Sequence, residues 1–107
     1  LIAATEQWSS VAPGKPGDRT ATEDWLGAGI IAANLASHGR SLSVEAEIAA
    51  EMALRSESTM AETLARTVSG RELIRRGFAD DVELASLIDA SPVAASRHPD
   101  GFFREAR

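Results

Sequence analysis

The neighbouring carboxylates Glu23 and Asp24 are the residues whose types and spacing best suit metal-assisted chemistry. Thr20-x-x-Glu23 also matches a capping box, in which a hydroxyl and a carboxylate bond the first free amides of a helix. In that interpretation Glu23 is a cap and Asp24 complements the helix dipole. The alternative is a Mg²⁺ site, because Mg²⁺ takes one or two carboxylates together with water and substrate oxygens. The residues alone favour the structural role.

Two other places carry candidate groups. Glu6 follows a short apolar run that is predicted to be a strand, and the C-terminal end of a strand is a usual location for a site in α/β proteins. Ser69-Gly70-Arg71 opens a predicted helix, where free amides, a glycine and a guanidinium would suit phosphate or sulfonate. A solvated loop residue and a capped helix with a solvated arginine are the simpler interpretations, and the residues alone favour them.

Apolar spacing and capping residues predict five helices, with a short strand near each end of the chain. The predicted caps are Thr20, Ser43, Thr59, Ser69 and Asp80. The helices are predicted over residues 21–37, from Ser43 to a break at 56–59, from Thr59, from Ser69 to Gly77, and from Asp80. Strands are predicted over residues 1–5 and 92–95, a loop over 9–19, a turn over 99–101 and a loose tail over 105–107.

Two features of the predicted helices indicate how they pack. Gly27 and Gly29 each destabilise a helix by roughly 1 kcal/mol relative to alanine, so we expect another helix or a ligand to approach the first helix closely. Val44, Ile48, Met52 and Arg55 recur at helical spacing. This spacing predicts that they lie on one face of the second helix, which is apolar except for Arg55.

The bulk properties limit the classes of function. A chain of 107 residues suits one small domain, and a net charge of -5 argues against nucleic acid as a partner. With no cysteine and two histidines, thiolate and histidine-rich metal sites are poor hypotheses. No apolar run is long enough to cross a bilayer and no signal peptide is visible, so we expect no membrane partner and a cytoplasmic location. A start at Leu1 is typical of a processed product, an excised segment or a proteolytic remnant.

Three segments, taken in order, resemble one family. They are residues 4–8 (ATEQW), 23–31 (EDWLGAGII) and 69–85 (SGRELIRRGFADDVELA). They are similar to the C-terminal half of the 2-phosphosulfolactate phosphatases, the ComB-like family. The resemblance implies a Mg²⁺-dependent phosphatase of three-layer α/β architecture, of which this chain is the helix-rich C-terminal part. It also implies hydrolysis of 2-phospho-3-sulfolactate to sulfolactate and phosphate, a step of coenzyme M biosynthesis, and a missing N-terminal half.

The resemblance also assigns roles to residues. Glu6 matches the acidic residue of the family's Ala-Gly-Glu-Arg stretch, whereas Thr5 and Gln7 depart from its glycine and arginine, which removes one anion contact. The substrate is expected to be a small phosphorylated sulfonate or carboxylate. The residues expected to be catalytic are Glu6, Glu23, Asp24 and Arg71; those expected to bind substrate are Arg19, Ser69, Gly70 and Arg71; those expected to bind Mg²⁺ are Glu23 and Asp24.

Two hypotheses from other classes stay open. One is a helical protein-interaction module whose acidic caps are purely structural. The other is a ComB-like homologue that keeps the fold and has lost activity, as Gln7 would suggest. In the phosphatase hypothesis the chain is a single domain or half-domain that is incomplete alone. Its first strand would then pair with the missing half or with a second copy.

Overall fold

The computed structural model describes residues 5–8 and 17–106, with side chains from residue 21 onward. The elements are β1 (Thr5–Trp8), β2 (Gly17–Thr20), α1 (Thr22–Ser37), α2 (Val44–Ser56), a 3₁₀ turn (Glu57–Thr59), α3 (Met60–Arg66), α4 (Val68–Arg75), α5 (Ala79–Ala85), β3 (Ala95–Arg97) and β4 (Phe103–Glu105). The five predicted helices and the break before the third are therefore confirmed. The described chain combines helices with short strands near both ends, which is compatible with an α/β fold.

The strands form two separate antiparallel hairpins. β1 pairs with β2, with Thr5 opposite Thr20, and β3 pairs with β4, with Ala95 opposite Glu105. Within the described residues each sheet has two strands, so the three-layer α/β architecture stays a prediction. Thr5, the last residue of the strand predicted over residues 1–5, belongs to β1, which continues to Trp8. Residues 1–4 lie outside the described part of the chain.

The first hairpin also corrects the predicted loop over residues 9–19. β2 lies at the end of that segment and pairs with β1. We had expected the partner of the first strand to come from a second copy or from the missing half. Its residues carry no apolar alternation, so the pattern of burial could not reveal a strand that is held by backbone pairing. Residues 9–16 lie outside the described part of the chain.

The second hairpin contains the strand that was predicted over residues 92–95, which lies slightly later, at Ala95–Arg97. Pro92 itself has no amide for a strand ladder. The turn over residues 99–101 is confirmed, with Gly101 at φ 87 and its amide donating to the carbonyl of His98 at 2.9 Å. The predicted tail is partly wrong, because Glu105 belongs to β4.

Helices α1 and α2 form a closely packed pair through small residues. A Cβ added at Gly29 would overlap the backbone carbonyl of Ala49 and lie 2.8 Å from the Cβ of Ala53. The predicted close approach to α1 is therefore confirmed at Gly29, and the approaching element is α2. At Gly27 an added Cβ would meet nothing within 4 Å.

The predicted apolar face of α2 is wrong. Val44, Ile48 and Met52 are exposed, whereas alanines on the opposite side of the helix are buried. The buried residues of α2 are Ala49, Ala50 and Ala53. The smaller side chains face α1 because only they permit the contact with Gly29.

The core lies where α1 and α2 meet the three short helices α3, α4 and α5. Its buried members are Leu26, Ala53, Met60, Leu64 and Val82. Trp25, Ile30, Ala65, Leu73 and Ile88 pack against them and are partly buried. The core therefore fixes the first turn of α1 against α4, which is where the candidate site lies.

No helix in residues 21–106 is both long and apolar enough to cross a membrane.

Two helices have a side-chain cap. The Oγ of Ser43 accepts the amide of Ala46 at 3.3 Å, which confirms the predicted start of α2. Hydrogen bonds from the backbone amide of Glu45 and from the hydroxyl of Ser43 lower the pKa of the Glu45 carboxyl. The Oγ1 of Thr67 accepts the amide of Gly70 at 3.0 Å and caps α4.

The other predicted caps are only partly confirmed. The N-cap of α1 is Ala21 instead of Thr20, and no side chain in residues 21–106 bonds the first amides of this helix. Thr59 is the N-cap of α3 as predicted, but its side chain makes no cap bond, and the N-cap of α5 is Phe78 instead of Asp80. α4 begins earlier than predicted because the extended backbone of Thr67, at φ -62 and ψ 166, starts it.

Candidate functional site

A hydrogen bond between Glu23 and Ser69 joins the first turn of α1 to α4. The Ser69 hydroxyl donates to Oε2 of Glu23 at 3.2 Å, across 46 positions of sequence. Ser69 is only 8% exposed, and its Oγ lies 3.4 Å from Oγ1 of Thr67. Because Thr67 caps α4, Ser69 lies inside the helix and its hydroxyl bonds Glu23. The carboxylate is thereby held at the boundary between the two helices.

Two cavities meet at Glu23. The first, the Ser69 recess, has a volume of about 140 Å³, and its polar lining residues are Glu23, Thr67, Ser69 and Asp81. The second, the Gly27 recess, has a volume of about 160 Å³ and is lined by α1, by Met60 and by the chain after α5. Both cavities share Glu23, Leu64 and Ala85. Glu23 therefore forms part of the wall between them.

Only part of the segment predicted to bind an anion, Ser69-Gly70-Arg71, lies at this site. Gly70 lines the Ser69 recess, but its amide donates to Thr67. A Cβ at Gly70 would overlap the carbonyl of Leu64, so close backbone packing explains this glycine. Arg71 is exposed and lines neither recess.

The remaining candidate residues lie on α1 and on the first hairpin. Asp24 is exposed beside Glu23 and lines neither recess. Glu6 and Arg19 are opposite each other in the register of β1 and β2, while their side chains lie outside the described part of the structure. Since β2 ends at Thr20 and α1 begins at Thr22, the backbone of this pair leads directly to Glu23.

Three further residues border the site and were not among the predicted catalytic, substrate-binding or metal-binding residues. Thr67 and Asp81 line the Ser69 recess, and Asp89 lines the Gly27 recess. The spacing Thr67-x-x-Gly70 is an available signal, because an N-cap hydroxyl bonds an amide three positions later. Asp81 is the second acid of a pair at a helix start, and no local pattern distinguishes it from Asp80. For Asp89, which has φ 52, the sequence carries no signal.

The donor groups limit which cation the site suits. Among residues 21–106, no cluster of three or more histidine or acidic side chains is placed to bind a metal. A cation coordinated mainly by protein, such as structural Zn²⁺ or Ca²⁺, therefore does not fit these residues. Mg²⁺ is compatible with fewer protein donors, since it keeps most of its water and takes one or two carboxylates with substrate oxygens. Glu23, held by Ser69, lines both recesses, and the adjacent Asp24 is exposed outside them.

A carboxylate held by a buried hydroxyl lies between two small cavities of a helix-rich domain. The family model described as 2-phosphosulpholactate phosphatase matches residues 6–97 of the 107-residue chain. The chain belongs to the 2-phosphosulpholactate phosphatase family, and its family is therefore one of hydrolases. Comparisons with curated proteins and with solved structures find no match.

Proposed function

We propose that the protein is a Mg²⁺-dependent phosphatase of small phosphate monoesters. The family indicates 2-phospho-3-sulfolactate as the first substrate to test, and a related small phosphate ester is the second. The observation that carries the proposal is the Glu23–Ser69 hydrogen bond at the junction of the two recesses. It gives one carboxylate a fixed position next to cavities of small-molecule size.

The proposal gives each central residue a role. Glu23 would bind the cation together with Asp24, and Ser69 is a positioning residue because it acts through Glu23. When bound, Mg²⁺ supplies positive charge that offsets the charge developing on the phosphoryl oxygens. Ser69 and Gly70 line the cavity in which the phosphate end of the substrate is proposed to bind.

Outer residues complete the proposed site. Arg71 is exposed on α4, where a long flexible side chain is able to turn toward a bound anion. Glu6 orients the attacking water and Arg19 contacts the substrate, in the roles that the family resemblance implies. Hydrolysis adds the water oxygen to phosphorus and breaks the ester P–O bond. The departing alcohol oxygen takes a proton.

The test is phosphate release from 2-phosphosulfolactate and from phenyl phosphate by the full-length protein, with Mg²⁺ or with EDTA. We expect release with Mg²⁺ alone, and a drop of about tenfold or more for Asp24→Asn and for Arg71→Ala. Asp80→Asn and Arg75→Ala change the same groups at exposed positions of α5 and α4 and should keep full activity.

The outcomes separate the claims. An absence of Mg²⁺-dependent release from both esters would contradict the proposed function. Unchanged release in both Asp24→Asn and Arg71→Ala would remove these residues from the site while leaving the family assignment intact.

An exposed apolar stripe favours a second function, protein interaction. Val44, Ile48 and Met52 are 67%, 52% and 43% exposed and follow one another at single helical turns on α2. Such a stripe is typical of a surface that a partner covers. We propose that the partner is a second copy of the chain or the N-terminal half that the family resemblance implies. We also propose that the protein is located in the cytoplasm. The mass of the protein in solution tests the first of these partners.

A further inference from the structure

A cavity of about 520 Å³, the hairpin cavity, lies against the second hairpin. Among the described residues it is lined by Ser96, His98, Arg104, Glu105 and Ala106. None of these residues lines the Ser69 recess or the Gly27 recess. Clefts that bind small organic molecules commonly have volumes of about 300–1,000 Å³. The hairpin cavity is therefore large enough for such a molecule.

Strand geometry places three hydrogen-bonding side chains on one face of this hairpin. Ser96 lies opposite Arg104 in the register of β3 and β4, and directly opposed residues share a face. His98 follows Ser96 by two positions, which puts it on the same face, and its amide continues the ladder by donating to the carbonyl of Phe102 at 2.9 Å. Burial agrees, since Ser96 and His98 are half-buried whereas Arg97 between them is exposed. A hydroxyl, an imidazole and a guanidinium therefore line one side of the hairpin cavity.

The guanidinium of Arg104 is fixed in position and keeps donors for a ligand. One of its N–H groups donates to Oδ2 of Asp100 at 2.6 Å, and within the described residues this is its one side-chain hydrogen bond. A guanidinium carries several N–H donors in a planar fork, so the others stay available. Glu105 also borders the cavity, but successive side chains of a strand point to opposite faces, which directs its carboxylate away from that of Arg104.

We propose that the hairpin cavity binds a small organic anion whose carboxylate, sulfonate or phosphate oxygens are held by Ser96, His98 and Arg104. The planar fork of a guanidinium matches two oxygens of such a group, and a hydroxyl and an imidazole are able to bond the remainder. An oxyanion alone fills a small part of about 520 Å³, because a water molecule takes only ~30 Å³. The ligand therefore carries an organic part. Binding here does not depend on the proposed phosphatase activity, in which these residues have no role.

The experiment is a titration of the full chain, followed by its amide NMR signals, with methanesulfonate, acetate and inorganic phosphate in turn. We expect saturable shifts of the signals of Ser96, His98 and Arg104, with a dissociation constant of about 1 mM for the best probe, since a few partly exposed charge-assisted hydrogen bonds hold it. The probe that binds most tightly identifies the oxyanion. Dimethyl sulfone has the shape of methanesulfonate without its charge and should leave these signals unchanged.

Three variants assign the binding to this face of the hairpin. Arg104→Ala should weaken binding by about tenfold or more. Arg97→Ala removes the same charge from an exposed position on the opposite face and should keep the wild-type affinity. Asp100→Asn removes the carboxylate that competes for the guanidinium, while its side-chain oxygen still accepts the amide of Phe102. This variant should bind about threefold more tightly.

The absence of saturable shifts at Ser96 and His98 with all three anions would overturn the inference. Equal losses of affinity in Arg97→Ala and Arg104→Ala would also overturn it, because net charge alone would then explain the binding. If Arg104→Ala unfolds the hairpin, seen as collapsed amide signals over residues 95–105, Asp100→Asn decides. Unchanged or weaker binding in Asp100→Asn would restrict Arg104 to holding the turn and would contradict an anion site.

Discussion

Replacement of Gly29 by alanine should lower the free energy of unfolding by about 3 kcal/mol, the upper part of the usual cost of overpacking. The added methyl would overlap a backbone carbonyl of α2, at Ala49, and crowd the Cβ of Ala53. A backbone group cannot rotate away as a flexible side chain does, so the two helices must separate. Their separation would also loosen Leu26 and Ala53, which belong to the core. Urea denaturation measures the change.

Gly27→Ala is the matched control for this prediction. It makes the same chemical change in the same helix, at a position where the methyl meets nothing. Because alanine is the better helix former, this variant should gain up to about 1 kcal/mol. Similar changes of stability in the two variants would contradict the helix contact, since helix propensity alone would then explain both glycines.

Glu23→Gln should lower phosphate release by about 100-fold or more, a loss typical of removing a group that stabilises charge in the transition state. Glutamine retains a carbonyl oxygen that accepts the Ser69 hydroxyl, so the junction of α1 and α4 should stay folded. The loss should fall on kcat more than on KM, since the charge acts mainly in the transition state. Phosphate release under saturating Mg²⁺ and substrate measures this effect.

Two companion variants show whether the effect belongs to the site. Ser69→Ala keeps the charge of Glu23 and removes its positioning bond, so a smaller loss of about tenfold is expected. Glu47→Gln removes the charge of an exposed glutamate in the first turn of α2 and should have no effect. Equal turnover in Glu23→Gln and Glu47→Gln would rule out a catalytic role for Glu23.

The sequence predicted the helices well because apolar spacing and glycine positions are local signals. It failed where contacts between distant segments decide the outcome. Ser69 resembles a helix cap in its local pattern, but Thr67 is the cap and Ser69 bonds Glu23, 46 positions away. No periodicity within one helix encodes that pair.

The prediction for the apolar face of α2 failed for a related reason. Its larger apolar residues, Val44 and Ile48, were predicted to lie on its apolar face, and that face is exposed. The contact surface is set by Gly29 on α1, which accepts only small partners such as Ala49 and Ala53. The candidate site was predicted in part: Glu23, Ser69 and Gly70 meet at one cavity, while the cavities themselves could not be predicted from a single sequence.

The most direct test of the central claim is where a divalent cation binds, and it does not depend on turnover. Mn²⁺ suits the same oxygen ligands as Mg²⁺ and broadens the NMR signals of nearby amides. We predict that low Mn²⁺ broadens the amide signals of Glu23, Ser69 and Gly70 first, and that Glu23→Gln removes this effect. Broadening centred on Glu45 and Glu47 of α2, with the signals of Ser69 and Gly70 unchanged, would contradict a cation site at Glu23.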